Sequence, residues 1–426
     1  MDAGTRKAAS NRILFTFFWA IFQGCITLQS DAQLFTAACN GDAGMTARAF
    51  GAVSGAVGII SLFVNQAGGK LSDSVGRKKL FMVGPMVSML CNTLVFRSGS
   101  SSLTLLMMCK ALRLVFNSFS GSTMSMAALM DISTPVEMAQ MGAKLQTSAG
   151  IAVVLAPIVE VWLMKQIGGS GERHYGVSAI MCGMQLLGNL LALPETLAVE
   201  KRRSLSDFFA SLSSLNPLSF MTVFRGKNTA LKQLLLINSL QCSAEGRCTS
   251  ECFQLWAKID MGASSATIRN MLSYWGAVVS GFGIFGSPIL LRSLSAKTYT
   301  TVTNLSLLIG FAVKGSSTRL PFFYIGYAIC CAGVNGSNTH AVKAVAGAMA
   351  VKDGYGRGEY SGWVQNMRAI STALATVAYG WWYGWCVDHG VWRGSVWWLC
   401  GICGGLLPQL LIQMVPNEAF ELEKAK

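Results

Sequence analysis

The sequence predicts an all-α membrane protein whose twelve transmembrane helices form two six-helix bundles. Composition is the first observation behind this: of 426 residues 52% are hydrophobic and only 13% charged, with a mean hydropathy of +0.45. A soluble domain carries roughly a quarter charged residues. The second is repetition of apolar runs close to the roughly 20 residues that a helix needs to cross a bilayer. The third is a single long polar stretch, 195–230, which divides those runs six and six.

The chain opens on a polar segment, Met1 to Ser10, and the apolar run beginning near Ile13 is too long for a signal-peptide core. It is read as an uncleaved first span, 13–35. The others follow at 49–68, 80–96, 102–128, 145–166 and 174–193, then 231–257, 268–291, 299–315, 320–342, 361–386 and 394–415. The domains are therefore an N-terminal bundle, 1–194, a cytoplasmic linker, 195–230, and a C-terminal bundle, 231–426. Within the linker, Leu205, Phe208, Phe209, Leu212 and Leu215 recur at helical spacing, which predicts a short helix on the membrane surface.

The net charge of +14 is a topology signal. With both termini cytoplasmic, about 22 of the 34 Lys and Arg fall on the cytoplasmic side, the positive-inside bias. Nucleic acid is excluded as a partner on that ground; the lipid bilayer is the expected one, and a monomer the expected state. Thirteen cysteines, mostly inside apolar runs, read as small packing residues. Three histidines, His174, His340 and His389, have neither a metal-ligand nor a triad context. No phosphate-binding glycine loop is present, so the chain is expected to be neither an enzyme nor an ATP-driven pump, and to need no cofactor. The host membrane, plasma or internal, is left open.

The most informative stretch is Gly69-Lys70-Leu71-Ser72-Asp73-Ser74-Val75-Gly76-Arg77-Lys78-Lys79, between spans two and three. Gly69 would permit close helix contact, Asp73 and Gly76 suit a tight turn, and three cations open the next helix. This order resembles the loop motif between helices two and three of the major facilitator superfamily. Leu193-Pro194-Glu195-Thr196-Leu197, Asn216-Pro217-Leu218 and Gly358-Glu359-Tyr360-Ser361-Gly362 are similar to stretches of its drug-exporter and tetracycline-efflux-like branch. The resemblance implies secondary transport, with Gly69, Asp73, Gly76, Arg77, Lys78 and Asp131 as a cytoplasmic gate. In that gate Arg77 would pair with Asp131 and Asp73 would lean on the positive end of helix eleven. Gly150 to Pro157 has the spacing of the family's antiporter motif, although Ala156 replaces its glycine. Ser74 stands where the family carries a cation, and Asn117 where it carries a glycine.

Charged groups inside a bilayer cost about 2.5–3.5 kcal/mol each on insertion scales, so each needs a partner or a purpose. In span four, Lys110, Arg113, Asn117 and Gly121 share a helical face by spacing. Arg113 is either a structural tie to carbonyls or a carboxylate, or a cavity charge that binds an anion or tunes proton release. In span seven, Asn238, Gln241, Glu245, Thr249 and Cys252 form a stripe; Arg247 and Glu251 can pair, leaving Glu245 without a local partner. Glu245 is then a candidate proton carrier or a neutral interhelical hydrogen bonder. Its rivals are Glu160 in span five and Asp31, which is expected in interfacial water.

Further stripes are Gln23, Thr27 and Asp31 on span one, Tyr327, Cys331, Asn335 and Asn338 on span ten, and Gln365, Arg368, Thr372 and Thr376 on span eleven. Any one of them could be interhelical packing. Jointly they suit a wet central cavity. Trp363, Trp381, Trp382, Trp385, Trp397 and Trp398 read mostly as interfacial anchors. The function expected is secondary active transport of a small organic solute by alternating access, with proton-coupled export as one form. An uncoupled facilitator and a non-transporting receptor or scaffold are the alternatives.

Overall fold

Large apolar side chains cover the outside as well as the core, and polar ones pair within, unlike a water-soluble fold. Met86, Leu90 and Leu94 are exposed along one helix face, and Ile180, Met184, Leu187 and Leu191 along another. Between the inner faces of these two helices Asn92 Nδ2 donates to Ser178 Oγ (3.1 Å), and from the first helix Thr16 Oγ1 donates to Asn189 Oδ1 (3.0 Å). Such a surface is stable only against lipid, where interhelical hydrogen bonds hold the bundle together.

The structure is a computed structural model describing the backbone of residues 3–421 apart from 133–134, 169–170, 203, 213–215, 335–336 and 356. Side chains are described at these residues except 3–4, 65–66, 122–123, 135–140, 142–143, 146, 201, 207, 211–212, 247, 337, 357–359, 361 and 421. Every regular element among them is helical. Among the described residues seven helices are long and apolar enough to cross a membrane, from Thr5–Ala38 to Ser395–Met414. The remaining expected spans are interrupted or more polar. By packing, the chain divides into Met1–Asp42, Phe63–Leu215 and Ser265–Ala277 as one compact unit, and Ala43–Leu62, Asn216–Ser264 and Val278–Lys426 as another.

The first unit is built from α1 (Ala3–Cys25), α2 (Leu28–Ala38), the second part of α3 (Ala43–Val75), α4 (Arg77–Ser98), α5 (Leu103–Asn117), α6 (Ser122–Ile132), α7 (Pro135–Gln166), α8 (Gly171–Ala192) and α9 (Leu205–Leu212). Its core gathers Ile13, Phe17, Phe81, Phe119, Leu129 and Leu193. Span one is two helices, broken at 26–27, and span four breaks at 118–121, so Gly121 lies past the end of α5 and off the face predicted for it. The surface helix predicted in the linker is α9, with Phe208 buried and Phe209 exposed.

The motif between spans two and three departs from its expected turn. Helix α3 continues to Val75, and the chain reverses only at Gly76, where φ is +98°. Asp73 is therefore in a helical last turn. Nothing lies near enough to Gly69 to touch an added Cβ; the tight approach is at Gly68, against the Phe119 ring.

The second unit contains the first part of α3, then α10 (Met221–Arg225), α11 (Thr229–Cys242), α12 (Gly246–Leu255), the end of α13 (Ser265–Gly281), α14 (Ser287–Ser293), α15 (Ala296–Gly315), α16 (Leu320–Cys330), α17 (His340–Lys352), α18 (Arg357–Asp388), α19 (Ser395–Gly401), α20 (Leu407–Met414) and α21 (Glu418–Glu421). Here α3 meets α18 through glycine. A Cβ at Gly51 would stand 3.1 Å from the Thr376 carbonyl oxygen, and one at Gly380 would stand 2.6 Å from that of Ala47. Beyond this contact Arg48 Nη1 reaches Asp388 Oδ2 at 2.6 Å, and its hydrogen bond holds the Asp388 carboxyl below the usual carboxylate range.

Two tryptophans depart from the expected interfacial placement. Trp363 and Trp397 are core residues, whereas Trp381, Trp382, Trp385 and Trp398 are exposed as expected of anchors. Trp397 serves Lys314, which is fully buried on α15. The Lys314 ammonium lies 3.6 Å from the Trp397 ring centre, 4.2 Å from Phe311 and 4.3 Å from Tyr327, and donates to Tyr327 Oη at 3.2 Å. No carboxylate pairs with it among the described residues. Aromatic faces worth about 2 kcal/mol each when desolvated offset only part of the cost of burying a charge. Lys314→Met, similar in volume and without that cost, is expected to raise the midpoint of thermal unfolding in detergent. A lower midpoint would show the cage to be net stabilising.

Candidate functional site

In the first unit the polar faces of spans one and four close on each other. Lys110 Nζ lies 2.9 Å from Asp31 Oδ2 and Arg113 Nη2 3.1 Å from Asp31 Oδ1, so one carboxylate bridges two cations. Arg113 also donates to Tyr175 Oη (2.9 Å), Asn92 Oδ1 (3.1 Å) and Thr27 Oγ1 (3.3 Å), and its guanidinium lies 4.9 Å from the Tyr175 ring centre. The spacing that puts Lys110 and Arg113 on one face of α5 is what lets both reach α2. Asp31 is 5% exposed and so is not at the water interface as expected. The break in span one turns it inward, where only paired charge is tolerated.

Other predicted residues lie around this cluster. Asn117 Nδ2 points to the Ala20 carbonyl at 3.5 Å, a long contact, and Gln23 Oε1 accepts from Cys182 Sγ at 3.3 Å. Glu160, fully buried on α7, accepts on Oε1 from the amides of Gln29 (2.9 Å) and Ser30 (3.1 Å) and from the Ser30 hydroxyl (3.2 Å). Gly150 and Pro157 are buried within the same helix.

The motif between spans two and three forms a second cluster in this unit. Arg77 Nε lies 3.0 Å from Asp131 Oδ2, Arg77 Nη1 lies 2.8 Å from Asp73 Oδ1, and the guanidinium also contacts Ser72 Oγ. Thr196 Oγ1 donates to Asp131 Oδ2 at 3.1 Å. Glu195 Oε1 accepts the Arg77 amide at 2.9 Å, capping α4, whose N-cap Gly76 has no side chain to do so. Gly76 has no room for a Cβ, which would strike that Glu195 carboxylate. Two motifs far apart in sequence thus meet at Arg77. Lys78 is half-buried beside them.

In the second unit span seven breaks at 243–245, and Glu245 stands at the N-cap of α12. Glu245 is partnered from another helix: Arg368 on α18 forks onto it, Nε to Oε1 at 2.6 Å and Nη2 to Oε2 at 2.9 Å. Local spacing cannot reveal such a partner. Gln241 Nε2 donates to Asn304 Oδ1 at 2.8 Å. Asn338 is buried and Gln365 exposed. Asn335 and the Arg247 side chain lie outside the described residues.

The sequence reading passed over Asn92, Tyr175 and Glu195 as site residues. A buried Asn opposite Arg113 carries no motif of its own. For Glu195 a signal existed, since its stretch was recognised and only its partner was not.

Against known proteins, the family model described as Major Facilitator Superfamily matches residues 13–376. No curated protein sequence matches at a significant level. Among solved structures the chain is similar to the human organic anion transporter MFSD10 (17% identity, 96% of this chain and 99% of that one, TM-score 0.65). It is likewise similar to a point mutant of the nucleoside transporter NupG (13%, 96% and 100%, 0.73) and to a D-xylose-proton symporter (14%, 96% and 97%, 0.69). At such identities the likeness is one of fold, and the fold is the twelve-helix one.

Proposed function

Because the chain belongs to the major facilitator superfamily, we propose that it carries a small organic solute across its membrane by alternating access. In this reading bundles 1–194 and 231–426 rock about the linker 195–230, with both termini cytoplasmic. The polar faces of spans one, four, seven, ten and eleven line the path. The observation that carries the reading is the Asp31–Lys110–Arg113 cluster. A lipid-facing scaffold has no need of two cations gathered on a buried carboxylate in one membrane-spanning unit, and intramembrane charge marks solute and proton routes. Solutes of the structurally similar proteins, an organic anion, a nucleoside and a pentose taken with a proton, set the class to test.

Proton coupling, export included, is the finer part of the proposal, and the Glu245–Arg368 fork supports it. A proton on Glu245 releases Arg368, so protonation and rearrangement of spans seven and eleven become one event. The test uses purified protein in liposomes with an imposed pH gradient and a panel of those three solute classes. Glu245→Gln is expected to lower gradient-driven flux at least about tenfold while solute exchange stays within about threefold. Wild-type coupled flux in that variant removes Glu245 from coupling. Solute movement indifferent to the gradient in the wild type identifies an uncoupled facilitator.

A further inference from the structure

We infer that Glu160 is the N-cap of α2, supplied from another helix, and that its task is to hold the Asp31 carboxylate in register with Lys110 and Arg113. Span one stops at Cys25 and restarts at Leu28, which leaves the first amides of α2 without intrahelical acceptors. The residue at the N-cap, Thr27, makes no cap hydrogen bond, and its hydroxyl instead accepts from Arg113. Inside a membrane no water takes over those amides. Glu160 does: Oε1 accepts from the Gln29 and Ser30 amides and from the Ser30 hydroxyl. On the other side of the break, His174 Nε2 stands 2.7 Å from the Ile26 carbonyl oxygen, so the backbone is gripped before and after the interruption.

Asp31 is the residue that follows Ser30. Fixing residues 29 and 30 fixes the direction in which Asp31 leaves α2, and both of its oxygens depend on that direction to reach Lys110 and Arg113. A carboxyl group is suited to the position because three donors converge on its Oε1. Glu160 is thus a positioning residue for the charge cluster, acting through two backbone amides. This deepens the transport reading of Asp31, and its test reads backbone protection with no flux involved, so each can fail without the other.

The experiment is hydrogen exchange of the full chain in lipid nanodiscs, followed over peptides covering residues 28–33. Glu160→Met, of similar length but with no oxygen, is expected to raise exchange there at least about tenfold while spans remote from α2 keep wild-type rates. Glu160→Gln, which keeps an acceptor, is expected to stay within about threefold of wild type. Should Glu160→Met fail to fold, Gln29→Pro decides: proline is tolerated in a first helical turn and deletes one of the two donors. It is expected to raise exchange at residues 30–33 about threefold or more. Unchanged protection in Glu160→Met, in Gln29→Pro if that variant is the one used, or a Gln variant as exposed as the Met one, overturns the assignment.

Discussion

Asp31→Ala is expected to cost about 3–5 kcal/mol of stability, because it removes the carboxylate from buried Lys110 and partly buried Arg113 at once. Hydrophobic isosteres can replace an entire buried pair at little cost, whereas removing one partner leaves uncompensated charge. Asp31→Ala combined with Lys110→Met should therefore recover at least about 1 kcal/mol of the loss, despite carrying two changes. Thermal unfolding in detergent separates the cases. A double variant less stable than the single one would mean that Lys110 is held mainly by something other than Asp31. Solute flux should be lost in both, since neither keeps the cluster.

The second large effect is expected at Arg77. Arg77→Met leaves the Asp131 and Asp73 carboxylates without their shared cation, at a cost of about 1–3 kcal/mol that falls mainly on the less exposed Asp131. Arg77→Lys should keep much less than half of that stabilisation, because one ammonium cannot span the directions that Nε and Nη1 cover. Asp131→Asn in the Arg77→Met background should restore stability by removing the less exposed of the two unpaired charges. If Arg77→Lys behaves as wild type, the geometry of the fork is irrelevant and only charge matters there.

How much of this was visible in the sequence follows from the range of each interaction. The spans were legible because a bilayer imposes length and composition on every stretch that crosses it. The Arg77–Asp131 pair was legible through a family motif. The Glu245–Arg368 fork was not, since its members lie 123 residues apart and belong to different stripes. The inward turn of Asp31 was hidden for another reason: Gly24 is a weak local mark of the break at 26–27, and the acceptor that makes the break tolerable, Glu160, lies in span five. The turn around Asp73 misled because the helix dipole disfavours an aspartate in a last turn, and the Arg77 guanidinium that offsets this lies beyond the reversal at Gly76. Trp363 and Trp397 were misread because position near a span's end does not say which face a ring takes.

The glycine contact between α3 and α18 has a mechanical meaning. Interlocked side chains make a helix interface behave like meshed gears, in which any axial shift forces rotamers to change together. Gly51 and Gly380 meet the backbone of the opposing helix, while Gly55 and Gly58 receive the short side chains of Val377 and Ala373, so there are few teeth to mesh. Such a surface resists enlargement sharply, yet offers little resistance to small slips along its length. It works as a bearing, strict about the gap and lenient about travel.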